Sequence, residues 1–125
     1  MIATKKIIVT TEWIQNYAKS IEAPLQYVQN KLIAPVTMPI IFWQQFEGFM
    51  LNNQTPLFHG SQQFTYHSPI FEGMVLDCEL ELSHTVHKQG KAGMMTLFTY
   101  TLNCLQQGIE IVQLETVLIQ VGAVT

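Results

Sequence analysis

The sequence predicts an α+β domain in which one antiparallel sheet wraps around a single buried central helix. Three observations carry this. Residues 33 to 48 read as a helix that is apolar almost all the way round. A surface helix shows a stripe, whereas one that is apolar on most sides has to be enclosed. About three turns fit before Gly48, far short of the roughly 20 residues a bilayer span needs, so protein must enclose it. Second, residues 74 to 87 alternate: Leu76, Cys78, Leu80, Leu82 and Val86 point one way, and Asp77, Glu79, Glu81, Ser83, Thr85 and His87 the other. That is a half-buried strand with a solvated outer face. Third, the segments that follow are rich in Thr, Phe, Tyr and β-branched residues and are separated by glycine turns.

In chain order, residues 7 to 9 are a short first strand or an extended lead-in. Residues 11 to 21 form a helix with Thr11 as N-cap and Glu12 in the first turn, where the helix dipole favours a carboxylate. Trp13, Ile14, Tyr17, Ala18 and Ile21 share its apolar face, and Pro24 ends it. Residues 25 to 33 read as a loop or a short helical turn. The central helix, within about residues 36 to 48, enters past Pro35 and Pro39 and stops at Gly48, with Ile40, Ile41, Phe42 and Phe46 expected among its buried residues. A connection at 49–56 leads to strands at 61–67, 74–87, 93–104 and 109–121. Gly90 is expected to take positive φ in the turn at 88–91, Gln106-Gln107-Gly108 turns again, and a change of spacing near Gln113 suggests a bulge.

The 125 residues fit one domain, here 1–125. Apolar residues make up 48% and charged residues 12%, about half the usual charged share. So few charges suggest surface hidden in a partner. A dimer joining two sheets edge to edge is expected, with Gln62 to His67 on the pairing edge. The net charge of −3 and the absence of a basic run give no footprint for nucleic acid. No apolar segment is long enough for a membrane span, and Ile7-Ile8-Val9 is too short for a signal peptide, which suggests a cytoplasmic protein. Cys78 and Cys104 read as separate reduced core thiols that do not form a close pair. No metal or cofactor is indicated, since His84 and His87 fall on opposite faces of one strand.

One buried helix wrapped by an antiparallel sheet is the hotdog arrangement. The run Phe58-His59-Gly60-Ser61-Gln62-Gln63-Phe64-Thr65-Tyr66-His67-Ser68-Pro69-Ile70, followed by Gly73, resembles the N-terminal half of the MaoC-like dehydratases, also called the FAS1-type dehydratase domain. That half carries a His-Gly-x-Gln-x-Phe-x-Tyr-x-x-Pro-hydrophobic run and then Gly-Asp. The Ala34-Pro35-Val36-Thr37-Met38-Pro39 entry to the helix is similar too, as is Asn103 before Gln106-Gln107-Gly108. Two positions depart: Gly73 is followed by Met74, and Ser68 stands where the family has a basic residue.

The resemblance implies an acyl thioester ligand, on coenzyme A or acyl carrier protein, and the chemistry of a 3-hydroxyacyl-thioester dehydratase or hydratase in fatty acid metabolism. Catalytic members carry a Ser/Thr-Gly-Asp-x-Asn-Pro-hydrophobic-His motif whose Asp and His move the proton. That chemistry needs two proton-transfer groups within reach of one water, and a donor for the thioester carbonyl. The matching segment here is Ser20-Ile21-Glu22-Ala23-Pro24-Leu25-Gln26, with Ile21 at the Asp position and Gln26 at the His position. Neither moves a proton, so the dyad is missing. Glu22, one position along, and His59 are weak replacements. Glu22 is expected to face solvent, and His59 to have a local hydrogen-bond partner. No carboxylate–imidazole pair is expected at the mouth of the helix. Val36, Thr37, Phe42, Trp43 and Phe46 are candidate substrate-binding residues. The reading is a non-catalytic subunit, in a homodimer or a heterodimer with a catalytic hotdog subunit. The alternatives are a stand-alone homodimer that binds acyl thioesters without turnover, and a thioesterase using Glu47 or His59.

Overall fold

The computed structural model describes residues 2–46, 57–91 and 93–122. The elements are β1 (Ile2–Val9), α1 (Thr11–Ser20), β2 (Gln26–Val28), β3 (Lys31–Ile33), a 3-10 helix (Met38–Gln45), β4 (Leu57–Tyr66), β5 (Met74–Gly90), β6 (Gly93–Gln106) and β7 (Ile109–Val121). Five strands make one antiparallel sheet in the order β1-β5-β6-β7-β4. The 3-10 helix packs into its concave face. The lead-in at the N-terminus is a full strand, paired with β5 from Ile2 against Glu81 to Val9 against Met74.

In α1 the N-cap is Thr10, not Thr11. Thr10 has extended backbone, and its hydroxyl accepts the Trp13 N–H at 3.1 Å. Thr11 lies inside the first turn and donates to Glu72 instead. Ile14 and Ala18 are buried as expected. Ile21 is not: it is the C-cap residue, turned off the apolar stripe and 44% exposed. Residues 25–33 hold a small hairpin, not a loop or helical turn. Gln26, Tyr27 and Val28 pair with Ile33, Leu32 and Lys31, and the chain reverses at Gln29 and Asn30, both at positive φ. Positive φ at both turn residues gives a backbone twist that matches paired strands.

The central helix is shorter and tighter than the sequence suggests. A 3-10 helix repeats every three residues, so side chains three apart stack in rows. Pro39 and Phe42 form one such row, and both are buried. Ile40 and Trp43 form another. Ile40 is 39% exposed, contrary to expectation, and Ile41 is half-buried. Phe42 and Phe46 are buried as expected, and Phe42 packs against Trp13 with ring centroids 5.3 Å apart. Gly48, the expected stop, lies outside the described residues.

The sheet contains bulges that the alternation alone does not reveal. Leu82 pairs with Tyr100 but His84 pairs with Thr99, which leaves Ser83 as an extra residue. Beyond it the faces swap. His87 now meets Thr96 on the concave side, and Val86 turns outward at 46% exposure, contrary to expectation. In β7 the extra residue is Ile111, two positions before the expected Gln113. It accounts for the adjacent buried pair Ile111 and Val112. In β4 the extra residue is Gly60. The β5–β6 turn places its positive φ at Gly93 rather than Gly90.

Cys78 and Cys104 do form a close pair, contrary to expectation. They are direct partners across β5 and β6, with Sγ atoms 3.2 Å apart, both thiols free and buried. Their even spacing along two paired strands puts both on the concave face.

Candidate functional site

The segment after α1 folds back tightly. Ala23 N–H donates to Ala18 O at 2.9 Å, Ser20 Oγ donates to Tyr17 O at 2.6 Å, and Glu22 adopts φ of 55°. This turn carries Ile21 to Gln26 against the residues that enter the 3-10 helix. Between them lies a cavity of about 300 Å³ lined by Ile21, Leu25, Gln26, Val36 and Thr37, with Ala18, Ala23, Pro24, Ile33 and Pro35 completing the wall. None of these side chains titrates. Four of the residues named from sequence, Ile21, Gln26, Val36 and Thr37, are thus brought together.

Two tyrosines hold the helix entry in place. The hydroxyls of Tyr17 and Thr37 hydrogen-bond at 2.7 Å, and Tyr66 Oη donates to Val36 O at 2.7 Å. Burial holds the Tyr66 hydroxyl above the usual phenol value, so it stays a donor. The sequence reading places Tyr17 on the apolar face of α1 and Tyr66 in the motif run, and gives neither a role at the site. Thr37 stands at the helix start, where Met38 N–H donates to Pro35 O at 3.0 Å, Pro39 has no N–H, and Ile40 N–H donates to Thr37 O at 3.1 Å.

The other candidates lie elsewhere. Phe42 and Phe46 are in the core and line neither this cavity nor the one below. Glu22 is exposed, as expected. Glu47 lies outside the described residues. His59 is exposed, and the local hydrogen-bond partner expected of it is not found among the described residues. It lines a second cavity, of about 290 Å³, with Ile40, Trp43, Gln44, Gln62, Thr116 and Leu118. The sequence reading missed the second cavity. Gly60 is the reason. As the extra residue of a bulge it lets His59 pair with Leu118 and Gln62 with Thr116, so both point to the concave face despite their odd spacing. A side chain there would meet Ile119 Cδ1 at 2.9 Å and Val117 O at 3.2 Å.

Among the described residues one imidazole–carboxylate contact occurs, His67 Nε2 to Glu110 Oε2 at 2.9 Å. It ties the end of β4 to the start of β7 on exposed surface and involves nothing from the Ile21–Gln26 segment. No cluster of three metal-ligating side chains exists among the described residues. No helix there is long and apolar enough to cross a membrane.

Residues 1–114 match the family described as FAS1-like, dehydratase domain region, and the chain belongs to that family. No curated protein matches it by sequence. Among solved structures it is similar to a chain of the HadBC (3R-hydroxyacyl-ACP dehydratase) complex of Mycobacterium tuberculosis, at 17% identity and TM-score 0.70 over 95% of this chain and 94% of that one. It is similar to a chain of the ChsH1–ChsH2 complex of the same organism, at 14% identity and TM-score 0.75 over 99% and 86%. The (R)-hydratase of A. caviae involved in PHA biosynthesis follows the same fold, at 16% identity and TM-score 0.66 over 94% and 92%. The family and these folds bear out the hotdog architecture and the MaoC-like resemblance.

Proposed function

We propose that this chain is a partner-dependent hotdog subunit that binds acyl thioesters without catalysing their hydration itself. The observation that carries the reading is the cavity beside the helix entry: where the family's proton-transfer motif falls, Ile21 and Gln26 line an apolar pocket with no titratable side chain. Such a wall can hold an acyl chain but cannot move a proton. In this reading Val36 and Thr37 contact the thioester end, and the catalytic Asp and His come from a second hotdog subunit. The free edge of β4 and the exposed Ile21, Leu25 and Val36 are the surfaces that would meet that subunit. Two of the similar structures are complexes of two named components. The subunit would act in the cytoplasm on acyl groups carried by coenzyme A or acyl carrier protein.

The test is an assay of the pure chain with 2-enoyl-CoA, followed by recovery of its partner from the native host. The expected result is no hydration by the chain alone and hydration once a hotdog partner carrying the Asp and His is added. Each positioned acid or base contributes roughly 10²–10⁴-fold, so loss of both leaves a rate near background. Hydration by the pure chain that disappears in Glu22→Gln or His59→Ala would overturn the reading.

A further inference from the structure

The second cavity has a feature that its apolar walls do not explain. Ile40, Trp43 and Leu118 form its sides. Gln62 reaches in from β4, held by Thr116, whose hydroxyl donates to Gln62 Oε1 at 2.9 Å. The other end of the amide, Nε2, is buried and has no hydrogen-bond partner among the described residues. A buried donor left unpaired costs the full desolvation of the group, so such groups are rare in folded proteins. The cavity, about 290 Å³, sits at the small end of the range for ligand pockets.

We propose that this cavity is a second binding site, for a short apolar molecule or chain that carries a hydrogen-bond acceptor oxygen, with that oxygen on Gln62 Nε2. The walls supply the affinity for the carbon skeleton. The amide supplies the choice between a ketone or ester and a plain hydrocarbon. Thr116 fixes the amide before the ligand arrives, so little side-chain freedom is lost on binding. Gly60 makes the arrangement possible, because without its bulge His59 and Gln62 would face opposite sides of the sheet. The site does not depend on thioester binding beside Ile21 and Gln26, so either can fail without the other.

The experiment titrates the isotope-labelled chain with methyl butyl ketone and, separately, with hexene, a hydrocarbon of equal length. The side-chain amide resonance of Gln62 and the indole resonance of Trp43 are followed. The ketone is expected to shift both and to bind roughly fivefold tighter than hexene, the worth of one neutral hydrogen bond. Gln62→Met keeps the length and removes the donor, so it should retain hexene binding and lose the preference. Ile40→Trp fills the cavity from its exposed rim and should weaken both ligands. Equal affinities in the unaltered chain, a preference that survives Gln62→Met, or no binding of either probe would each overturn the proposal. The comparison of the two probes on the unaltered chain decides the matter even if Gln62→Met fails to fold.

Discussion

Cys78 and Cys104 face each other across β5 and β6 with their sulfurs 3.2 Å apart, in the dry interior behind the central helix. The hydrogen bond with Cys78 and burial push the Cys104 thiol well above its ordinary value. A group whose pKa is raised by folding lends stability that is complete below its unfolded pKa and is lost as the pH rises above it. The fold is therefore expected to weaken once the pH passes the ordinary thiol value of about 8.5. Urea unfolding between neutral pH and pH 10 checks this. Cys104→Val should flatten that alkaline decline, and an unchanged slope would count against the account.

Glu72 works in the opposite sense. Its two carboxylate oxygens accept the Thr11 hydroxyl and the Leu32 N–H, each at 2.6 Å, and so tie α1 to the β2–β3 hairpin. The Thr11 bond first, and then the Leu32 bond, hold its pKa below the ordinary value. Stability from a lowered carboxylate is present above the unfolded pKa and lost as the pH falls through the folded one. Glu72→Gln should be less stable than the parent chain at pH 7, and the gap should close towards pH 3. A gap that does not change with pH would show that the carboxylate's charge is irrelevant.

Phe42 and Ile40 stand two residues apart in the same short helix and should respond very differently. Phe42 is fully buried against Trp13. Phe42→Ala is expected to cost about 3–5 kcal/mol. Ile40→Ala should cost about 1 kcal/mol or less, since much of the side chain already meets solvent. Thermal unfolding of both variants measures the difference. Similar losses would mean that Ile40 is buried in solution, as in an assembly.

At Gly60 the bulge leaves little room. Gly60→Val forces side-chain atoms against Ile119 and the Val117 carbonyl, and overpacking of this kind costs about 1–3 kcal/mol. The resonances of His59 and Gln62 should shift with it. A variant as stable as the parent, with both resonances unmoved, would remove the role given to the bulge.

The long-period features were legible in the sequence. α1 shows its stripe at Ile14 and Ala18, and β5 alternates cleanly from Met74 to Leu80, because each element is buried on one side only. Three-residue strands carry no measurable period, so the hairpin at Tyr27 and Leu32 was not visible. Single extra residues were harder still. Ser83 reversed the faces assigned to Val86 and His87, and Gly60 concealed the pairing of His59 with Gln62 on one surface. A glycine inside a strand pattern was the available signal there. At the first cavity, Ile21, Gln26, Val36 and Thr37 were named because the motif fixes their spacing. Thr116 and Leu118 were not, because only the register of β4 against β7 brings them to Gln62 and His59.

The unpaired residue at Gly60 also has an evolutionary consequence. Deleting that one codon would turn the bulge into regular pairing and leave every position on its present face, because His59 already stands opposite Leu118 and Ser61 opposite Val117. His59 and Gln62 would then sit two residues apart on the same surface. A one-residue gap at this point, when relatives are aligned, therefore separates a bulged strand from a regular one that presents the same side chains to the pocket.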